Sequence, residues 1–260
     1  MVVLSLIQGL GEVLPVSASG HLMALPALAG SPEGRAAITV AANLGVVAAL
    51  MLYFWRDMAA MSMGLWKLGK GRPDAGTRLF MHVAVGSAPA LLVGWLYVSY
   101  GGGLGSPTTA VAAMLVFGLF LLVADQLGMT VSRVEHISWA AAFGIGVLQA
   151  AALIPGVSRT GITITAARLM GYERRAAARF SLLLAIPAFA AHAVWTFRGL
   201  TRNTELILSL DLVYAAATAG VAALLAVAAM MAWVSHRSFA PFALWRVLFG
   251  GAMLLLLWWK

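Results

Sequence analysis

Six long apolar stretches decide the architecture available to this chain of 260 residues. Each approaches the length of roughly 20 residues with which a helix crosses a hydrocarbon core of about 30 Å. Lipid offers the backbone no hydrogen-bonding partner, so such stretches fold as helices. The sequence therefore predicts an all-α, polytopic membrane protein with six spanning helices, over Ala36–Trp55, Leu79–Val98, Thr109–Ala124, Ala176–Phe197, Leu212–Val234 and Phe239–Trp259.

Composition supports an integral membrane protein and excludes other classes. Apolar residues make up 62% of the chain and charged residues 10%, whereas soluble domains are about 45–50% apolar and about 25% charged. The formal net charge of +8 is explained by basic residues in short loops, so no nucleic-acid partner is predicted. The chain has no cysteine, which excludes a thiolate zinc site and a cysteine nucleophile.

Two further apolar stretches are interrupted at their centres. Residues 2–30 are broken by the segment PVSASG, and residues 139–171 by the segment PGVSRTG. Each interruption leaves two arms of about 10–15 residues, which are too short to span a membrane alone. Irregular backbone at membrane depth is tolerated only where it is buried in protein or lines a cavity. The sequence therefore predicts two re-entrant broken-helix hairpins within a single membrane domain, 1–260.

The distribution of Lys and Arg predicts the orientation of the chain. If both hairpins turn back, the richer face holds Arg56, Lys67, Lys70, Arg72, Arg78, Arg133, Arg174, Arg175, Arg179 and Arg237. The opposite face holds Arg35, Arg198, Arg202 and Lys260. The positive-inside rule then places the richer face in the cytoplasm and both termini outside. In this arrangement the two hairpins enter the membrane from opposite sides.

That arrangement is an inverted-topology repeat, 1–124 and 139–260, and the sequence carries a trace of it. An offset of 141 residues aligns Gln8, Val16, Ser17 and Gly20 with Gln149, Val157, Ser158 and Gly161. These identities fall at or next to both breaks. Broken helices that meet near the midplane of a membrane usually form a binding site.

Polar and ionisable residues are concentrated at the two breaks. Glu12 and His21 flank the first break, and Arg159 lies in the second. Such residues cost at least about 2.5–3.5 kcal/mol each on membrane-insertion scales, so they indicate function. Helix N-termini and an Arg fork bind phosphate, and oxygen ligands from Glu12 and Gln8 suit a hard divalent cation. This set favours phosphoryl transfer; the alternative is that the polar groups only satisfy one another.

Both breaks lie within longer motifs, QGLGEVLPVSASGHL and IPGVSRTGITITAARLMG. These strongly resemble the two signature motifs of the undecaprenyl-diphosphate phosphatase family of the bacitracin-resistance type. The resemblance continues through YERRAAARFSLLLAIPA and SFAPFALWRVLFGG and so covers essentially the whole chain. It implies an enzyme of the bacterial cytoplasmic (inner) membrane with an outward-facing site. Such an enzyme removes the terminal phosphate of undecaprenyl diphosphate and so recycles the lipid carrier of cell-envelope synthesis.

The resemblance also implies roles for particular residues and a divalent cation, Mg²⁺ or Ca²⁺. Glu12, with Gln8, would bind the metal or assist proton transfer, His21 would act as acid or base, and Arg159 would clamp the diphosphate. The implied substrate-binding residues of the second break are Gly156, Ser158, Arg159, Thr160 and Gly161. Polyprenyl diphosphate and membrane lipids are the expected partners. Whether the chain forms a homodimer is left open.

The attacking group is left open by one departure from the family pattern. The family has two adjacent serines in the first loop, and the second of them is Ala18 here. The candidates are therefore Ser17, Ser19 and a metal-bound water, with Ser19 slightly favoured because it lies two residues before His21.

A transporter or flippase of polyprenyl phosphates is the rival interpretation, because inverted repeats with broken helices also build transporters. The proximity of His21 to Glu12 favours hydrolysis. His82 and His192 are expected to make interhelical contacts. Arg168 and Arg246 are expected to lie near helix ends and to extend towards the membrane surface.

Overall fold

The computed structural model describes residues 1–24, 32–101, 105–128, 134, 137–203 and 209–259. Helices make up most of these residues, and no β-strand occurs among them. Among the described residues, six helices are long and apolar enough to cross a membrane. They are α3 (Pro32–Tyr53), α5 (Ala75–Ser99), α6 (Pro107–Leu127), α9 (Arg174–Asn203), α10 (Leu210–Val234) and α11 (Ala240–Trp258). The prediction of an all-helical, multi-pass membrane protein is confirmed, with six helices of the length and composition that spanning requires.

Both interrupted stretches form pairs of short helices. The first pair is α1 (Val2–Val13) and α2 (Ala18–Ala24). The second pair is α7 (Trp139–Gln149), which runs into the 3-10 turn Ala150–Leu153, and α8 (Arg159–Leu169). The helices break where the Pro- and Gly-containing segments predict. The end of the first stretch, 25–30, and the loop cations Arg133 and Lys260 lie outside the described residues.

One helix was missing from the sequence prediction. Residues that the loop count assigned to a connection form α4 (Trp55–Leu68), which begins directly after α3. α4 mixes exposed aromatic and charged side chains, and Lys70 beyond its end lies 3.5 Å from the ring centre of Trp66. Asp57 near its start pairs with Arg179 of α9. With 14 residues, α4 is shorter than the roughly 17 needed to span.

Capping side chains determine where two of the spanning helices begin. Asp74 accepts a hydrogen bond from the Thr77 N–H (3.0 Å), and Thr77 Oγ1 accepts one from the Asp74 N–H (3.2 Å). Ser106 and Thr109 make the same reciprocal pair at the start of α6. A hydrogen bond from Lys67, with the Thr77 N–H, lowers the pKa of Asp74 to about 2. Such caps satisfy N–H groups that the first helical turn leaves without intrahelical acceptors.

A buried charge network joins four helices at one end of the bundle. Asp125 accepts hydrogen bonds from Arg174 Nε (2.7 Å) and from the Phe239 N–H (2.9 Å). Its carboxylate lies 3.2 Å from Arg168 Nε. The Arg168 side chain is only 1% exposed, so the expectation that it extends to the membrane surface is wrong. Arg168 instead stays inside because its charge and donors are used by Asp125 and by backbone oxygens, including those of Gly128 and Tyr172.

Interhelical contacts explain the two histidines within spanning helices. His192 on α9 lies 2.8 Å from Asn43 Nδ2 on α3, and His82 on α5 meets the ring of Trp139 on α7 edge-on at 4.5 Å. Both expectations are confirmed.

Close packing at glycine holds the first helix of each broken pair against a neighbouring helix. Gly9 of α1 abuts the backbone of α10, and Gly146 of α7 abuts the backbone of α5, as small residues allow in membrane bundles.

Candidate active site

Matching serine turns form the two helix breaks. Ser17 and Ser158 have positive φ angles of 70° and 67°, which non-glycine residues rarely adopt. Ser17 Oγ accepts a hydrogen bond from the Gly20 N–H (3.3 Å), and Ser158 Oγ accepts one from the Gly161 N–H (3.1 Å). Each hydroxyl therefore caps the helix that follows, α2 or α8. Through these caps, Ser17 and Ser158 stabilise the turns at the two breaks.

Contacts between the two breaks are made by equivalent positions. Ser19 Oγ accepts a hydrogen bond from the Gly156 N–H (3.2 Å). Thr160, which lies 141 residues after Ser19, donates its hydroxyl to the backbone oxygen of Glu12 (2.6 Å). The predicted site residues of both breaks thus come together in space, although each contact uses backbone from the opposite break.

Backbone oxygens and an aromatic ring orient Arg159. Its Nη1 donates to the Ser181 oxygen (3.1 Å), and its Nη2 donates to Thr160 Oγ1 (2.9 Å) and to the Glu12 oxygen (3.4 Å). The guanidinium carbon lies 4.5 Å from the ring centre of Phe189, a cation–π arrangement. The planar fork is therefore held in one orientation beside the only carboxylate of α1.

His21 has both ring nitrogens engaged. Nδ1 lies 2.7 Å from the Ser17 backbone oxygen, and Nε2 lies 2.9 Å from the indole nitrogen of Trp245 on α11. A carbonyl only accepts hydrogen bonds and an indole N–H only donates them. Nδ1 must therefore carry the proton while Nε2 presents its lone pair. Phe249 stacks on the imidazole with a centroid distance of 4.3 Å.

Two buried amides, one on α1 and one on α3, leave their side-chain oxygens without partners in the described part of the chain. Gln8, one helical turn before Glu12, uses Nε2 to donate to Thr39 Oγ1 (3.0 Å). Asn43, one turn after Thr39 on α3, uses Nδ2 in its contact with His192. The side-chain oxygens Gln8 Oε1 and Asn43 Oδ1 are both buried and unpartnered. Unsatisfied buried oxygens are costly, and amide oxygens together with a carboxylate are ligands that suit a hard cation.

The described residues contain no cluster of three or more His, Asp and Glu side chains of the kind that binds metal ions. The implied cation therefore fits here only through one carboxylate and amide oxygens. This donor set is compatible with Mg²⁺ or Ca²⁺, which favour oxygen, and poorly suited to zinc.

Glycine at two positions of the second break serves packing. Gly156 has a φ of 93° and lies so close to Ala110 that a side chain would overlap its carbonyl oxygen. Gly161 leaves room for Nη1 of Arg246. The N–H groups of Gly156 and Gly161 already donate to Ser19 and Ser158. Both glycines thus line the break, with their own donors in use.

Arg246 on α11 was missed as a member of this site. Its side chain is fully buried, and its Nη2 donates to the backbone oxygens of Gly156 (3.0 Å) and Val157 (2.7 Å). The expectation that Arg246 extends to the membrane surface is therefore wrong, because the second break supplies carbonyl acceptors inside the bundle. An arginine placed in an otherwise apolar helix was the available sequence signal.

Known proteins resemble this chain along nearly its whole length. The family model described as Bacitracin resistance protein BacA matches residues 1–252. Undecaprenyl-diphosphatase 1 of Paramagnetospirillum magneticum is 55% identical over 98% of this chain and 95% of that protein. Undecaprenyl-diphosphatase 1 of Rhodospirillum rubrum is 47% identical over 98% and 94%. The undecaprenyl-diphosphatase of Ruegeria pomeroyi is 40% identical over 98% and 96%. The family that the two motifs indicated is thus confirmed, and the chain belongs to the bacitracin resistance protein BacA family.

Proposed function

We propose that this chain is an undecaprenyl-diphosphatase, which hydrolyses undecaprenyl diphosphate to undecaprenyl phosphate and phosphate. The names of relatives at 55% and 47% identity support this activity. The observation that carries the proposal is the meeting of the two breaks, which puts Arg159 beside Glu12 and links the loop of His21 to Gly156. Segments in contact thus carry a fixed cationic fork, a carboxylate and an imidazole, a set of groups suited to phosphoryl transfer.

Arg159 is the proposed diphosphate clamp. Its donors now rest on the backbone oxygens of Ser181 and Glu12, which are neutral acceptors. Phosphate oxygens are charged and form stronger, bidentate hydrogen bonds with a guanidinium. Substrate would therefore replace these carbonyl partners, while stacking on Phe189 keeps the plane of the fork in place.

Glu12 and Gln8 are the proposed holders of the divalent cation, and the unpartnered oxygen of Asn43 makes it a third candidate. A bound cation would neutralise phosphate oxygens and promote attack by water. The chain's own part is to present oxygens from neighbouring faces of α1 and α3. The hydrogen bond between Gln8 and Thr39 joins these faces, and the contact of Asn43 Nδ2 with His192 turns the amide oxygen away from the histidine.

Water is the attacking group that we propose, in place of the slight preference for Ser19. Ser19 Oγ is engaged with the Gly156 N–H and lies 3.4 Å from Ser17 Oγ. A serine hydroxyl is a weak nucleophile unless a base activates it. His21 is hydrogen-bonded to the Ser17 carbonyl and to Trp245, so it does not activate the Ser19 hydroxyl in this arrangement. Ala18 is buried and has no hydroxyl.

Phosphate release by the purified protein tests the activity directly. With Mg²⁺ and undecaprenyl diphosphate in detergent micelles, the protein should release one phosphate for each substrate molecule consumed. The control is the same micelles without the protein. A polyprenyl-phosphate transporter would instead move lipid between leaflets without releasing phosphate. The names of the relatives do not favour that rival, and absence of phosphate release would restore it.

The finer architecture that we propose is an inverted-topology repeat with two re-entrant hairpins. Matched φ angles and caps at Ser17 and Ser158 support it. So do the similar glycine contacts of α1 with α10 and of α7 with α5. We further propose the bacterial inner membrane as location, with the α4 side in the cytoplasm and the site open to the outside.

Cysteine labelling tests this orientation in the cysteine-free chain. Ser62 on α4 and Thr108 on α6 are both exposed, and Thr108 is preferable to the neighbouring cap Ser106. In intact cells an impermeant maleimide should label Thr108→Cys and spare Ser62→Cys until the membrane is opened. The reverse pattern would overturn the orientation without affecting the proposed activity.

A further inference from the structure

We propose that Trp245 is a positioning residue that fixes the tautomer and the ring plane of His21. Neither the two motifs at the breaks nor any comparison assigns it a role. The inference rests on the proposed function only where it assumes that His21 exchanges a proton during hydrolysis. The structural half of the inference is that the hydrogen bond from Trp245 holds His21 in one tautomer. This half can be tested without measuring activity.

The contact is specific in distance and direction. Trp245 Nε1–H donates to His21 Nε2 at 2.9 Å, and the two rings lie nearly parallel, at an interplanar angle of 9°. Phe249, one helical turn further along α11, also stacks on the imidazole at 4.3 Å. One face of α11 therefore controls both the hydrogen bonding and the orientation of the ring.

The opposite nitrogen is fixed by the first break itself. The Ser17 carbonyl lies 2.7 Å from Nδ1 and requires a proton there, because a carbonyl only accepts. The indole N–H, which only donates, requires a lone pair at Nε2. The two partners together hold His21 as the neutral Nδ1–H tautomer, with Nε2 as its basic atom.

This arrangement prepares His21 for one proton transfer. When water attacks the terminal phosphorus, the new O–P bond forms and the bridging P–O bond breaks. Undecaprenyl phosphate departs with the electron pair, and the proton lost by water passes to Nε2 and then to solvent. The water must take the place of the indole at Nε2, so Trp245 keeps this acceptor oriented and unprotonated until substrate arrives.

The neighbouring Arg246 makes the position of α11 consistent with this role. Arg246 donates to the backbone oxygens of Gly156 and Val157 in the second break, while Trp245 donates to His21 in the first. Adjacent residues of one helix thus hold both breaks. Trp245 is 51% exposed, so it is not a buried core residue.

Substitution of Trp245 by Phe removes the donor and keeps an aromatic ring. Trp233→Phe is the matched control, because Trp233 Nε1 also donates at 2.9 Å, to the backbone oxygen of Ser238 away from the breaks. Trp245→Phe should lower kcat at least about tenfold, a modest part of the 10²–10⁴-fold that proton transfer contributes. KM should change little, and Trp233→Phe should stay close to the unchanged protein in both constants.

A double-mutant cycle separates positioning from general damage. In a His21→Gln background, Trp245→Phe should cause no further loss, because the residue through which it acts is absent. An equal loss in both backgrounds would make Trp245 merely structural, and no loss in the unchanged protein would also overturn the proposal.

Nitrogen-15 NMR of histidine-labelled protein in detergent tests the structural half without activity. The His21 signals are assigned by their disappearance in His21→Gln. They should report a protonated Nδ1 and an unprotonated Nε2, and Trp245→Phe should shift the Nε2 signal and mix the tautomers, while Trp233→Phe leaves them unchanged. An Nε2–H tautomer in the unchanged protein would contradict the inference. A protein that releases no phosphate but has the expected NMR signals would refute the proposed function alone.

Discussion

At the first helix break the ionisable side chains are a carboxylate and an imidazole, Glu12 and His21, whereas the second break carries the guanidinium of Arg159. The backbone differs far less. Ser17 and Ser158 have φ angles of 70° and 67° and cap the following helices in the same way. One turn geometry has therefore been used twice to start a helix inside the bundle, with different chemistry placed on each copy.

Neighbouring positions show where the two copies diverge. An offset of 141 residues pairs Ala18 with Arg159 and Ser19 with Thr160. Both hydroxyls of the second pair contact backbone of the opposite half, Ser19 as an acceptor and Thr160 as a donor. The first pair differs completely, since Ala18 is buried and apolar where Arg159 carries a charge. The guanidinium is therefore confined to the second break, and the ionisable groups flanking the first break are Glu12 and His21.

The largest effect is expected at Glu12, which belongs to the first break alone. Glu12→Gln keeps the volume but removes the charge that a cation or a proton needs, so turnover should fall at least about hundredfold. Added Ca²⁺ should also no longer raise the unfolding temperature of the purified variant. Asp74→Asn is the matched control, because Asp74 lies at the start of α5 and Asn caps a helix well. Retained cation-dependent activity in Glu12→Gln would move Glu12 to a structural role.

The next largest effect is expected at Arg159, the charge of the second break. Lys is a point charge on a flexible stem and cannot reproduce a planar two-pronged clamp. Arg159→Lys should lose at least about tenfold in turnover, equivalent to ~1.4 kcal/mol of transition-state stabilisation. The exposed Arg175 offers a matched Arg175→Lys control. Near-normal kinetics in a folded Arg159→Lys protein would exclude the clamp.

Much of this fold could be predicted because its signals are local. Apolar runs of spanning length predict the six long helices, and Pro and Gly segments predict the two breaks. α4 was missed because its mixture of aromatic and charged residues gives no uniform apolar run. Hydrophobicity and sequence spacing cannot predict the contact of Asn43 with His192 or the hydrogen bond from Gln8 to Thr39, because each joins two different helices.

The errors at Arg168 and Arg246 have a common physical cause. An arginine in an apolar helix lies at the membrane surface unless the interior provides acceptors, and such acceptors are tertiary features. Asp125 provides them for Arg168, and the backbone oxygens of the second break provide them for Arg246. The position of Trp245 beside His21 is equally non-local, since α11 and α2 are far apart in sequence.

A smaller effect is expected at Ser19, where the two breaks are most alike. If water attacks, Ser19→Ala should lose only the contact with the Gly156 N–H, and turnover should fall by less than about tenfold, since a lost hydrogen bond of this kind costs about 0.5–1.5 kcal/mol. Ser62→Ala on the exposed face of α4 is the control. Complete loss of phosphate release in folded Ser19→Ala would make Ser19 an obligatory nucleophile. Ser19 and Thr160 would then have different chemical roles in the two breaks.

The smallest effects are expected at the serines that the breaks share, and they should be equal. Ala at Ser17 or Ser158 retains the strain of a positive φ and loses the cap, so each variant should lose about 0.5–2 kcal/mol of stability. Gly also loses the cap but adopts positive φ readily, so Ser17→Gly and Ser158→Gly should be less destabilising than the Ala variants. Unfolding temperatures in detergent measure all four. A large loss of stability at one serine with none at the other would mean that the two turns, although alike in geometry, do not contribute equally to the stability of the fold.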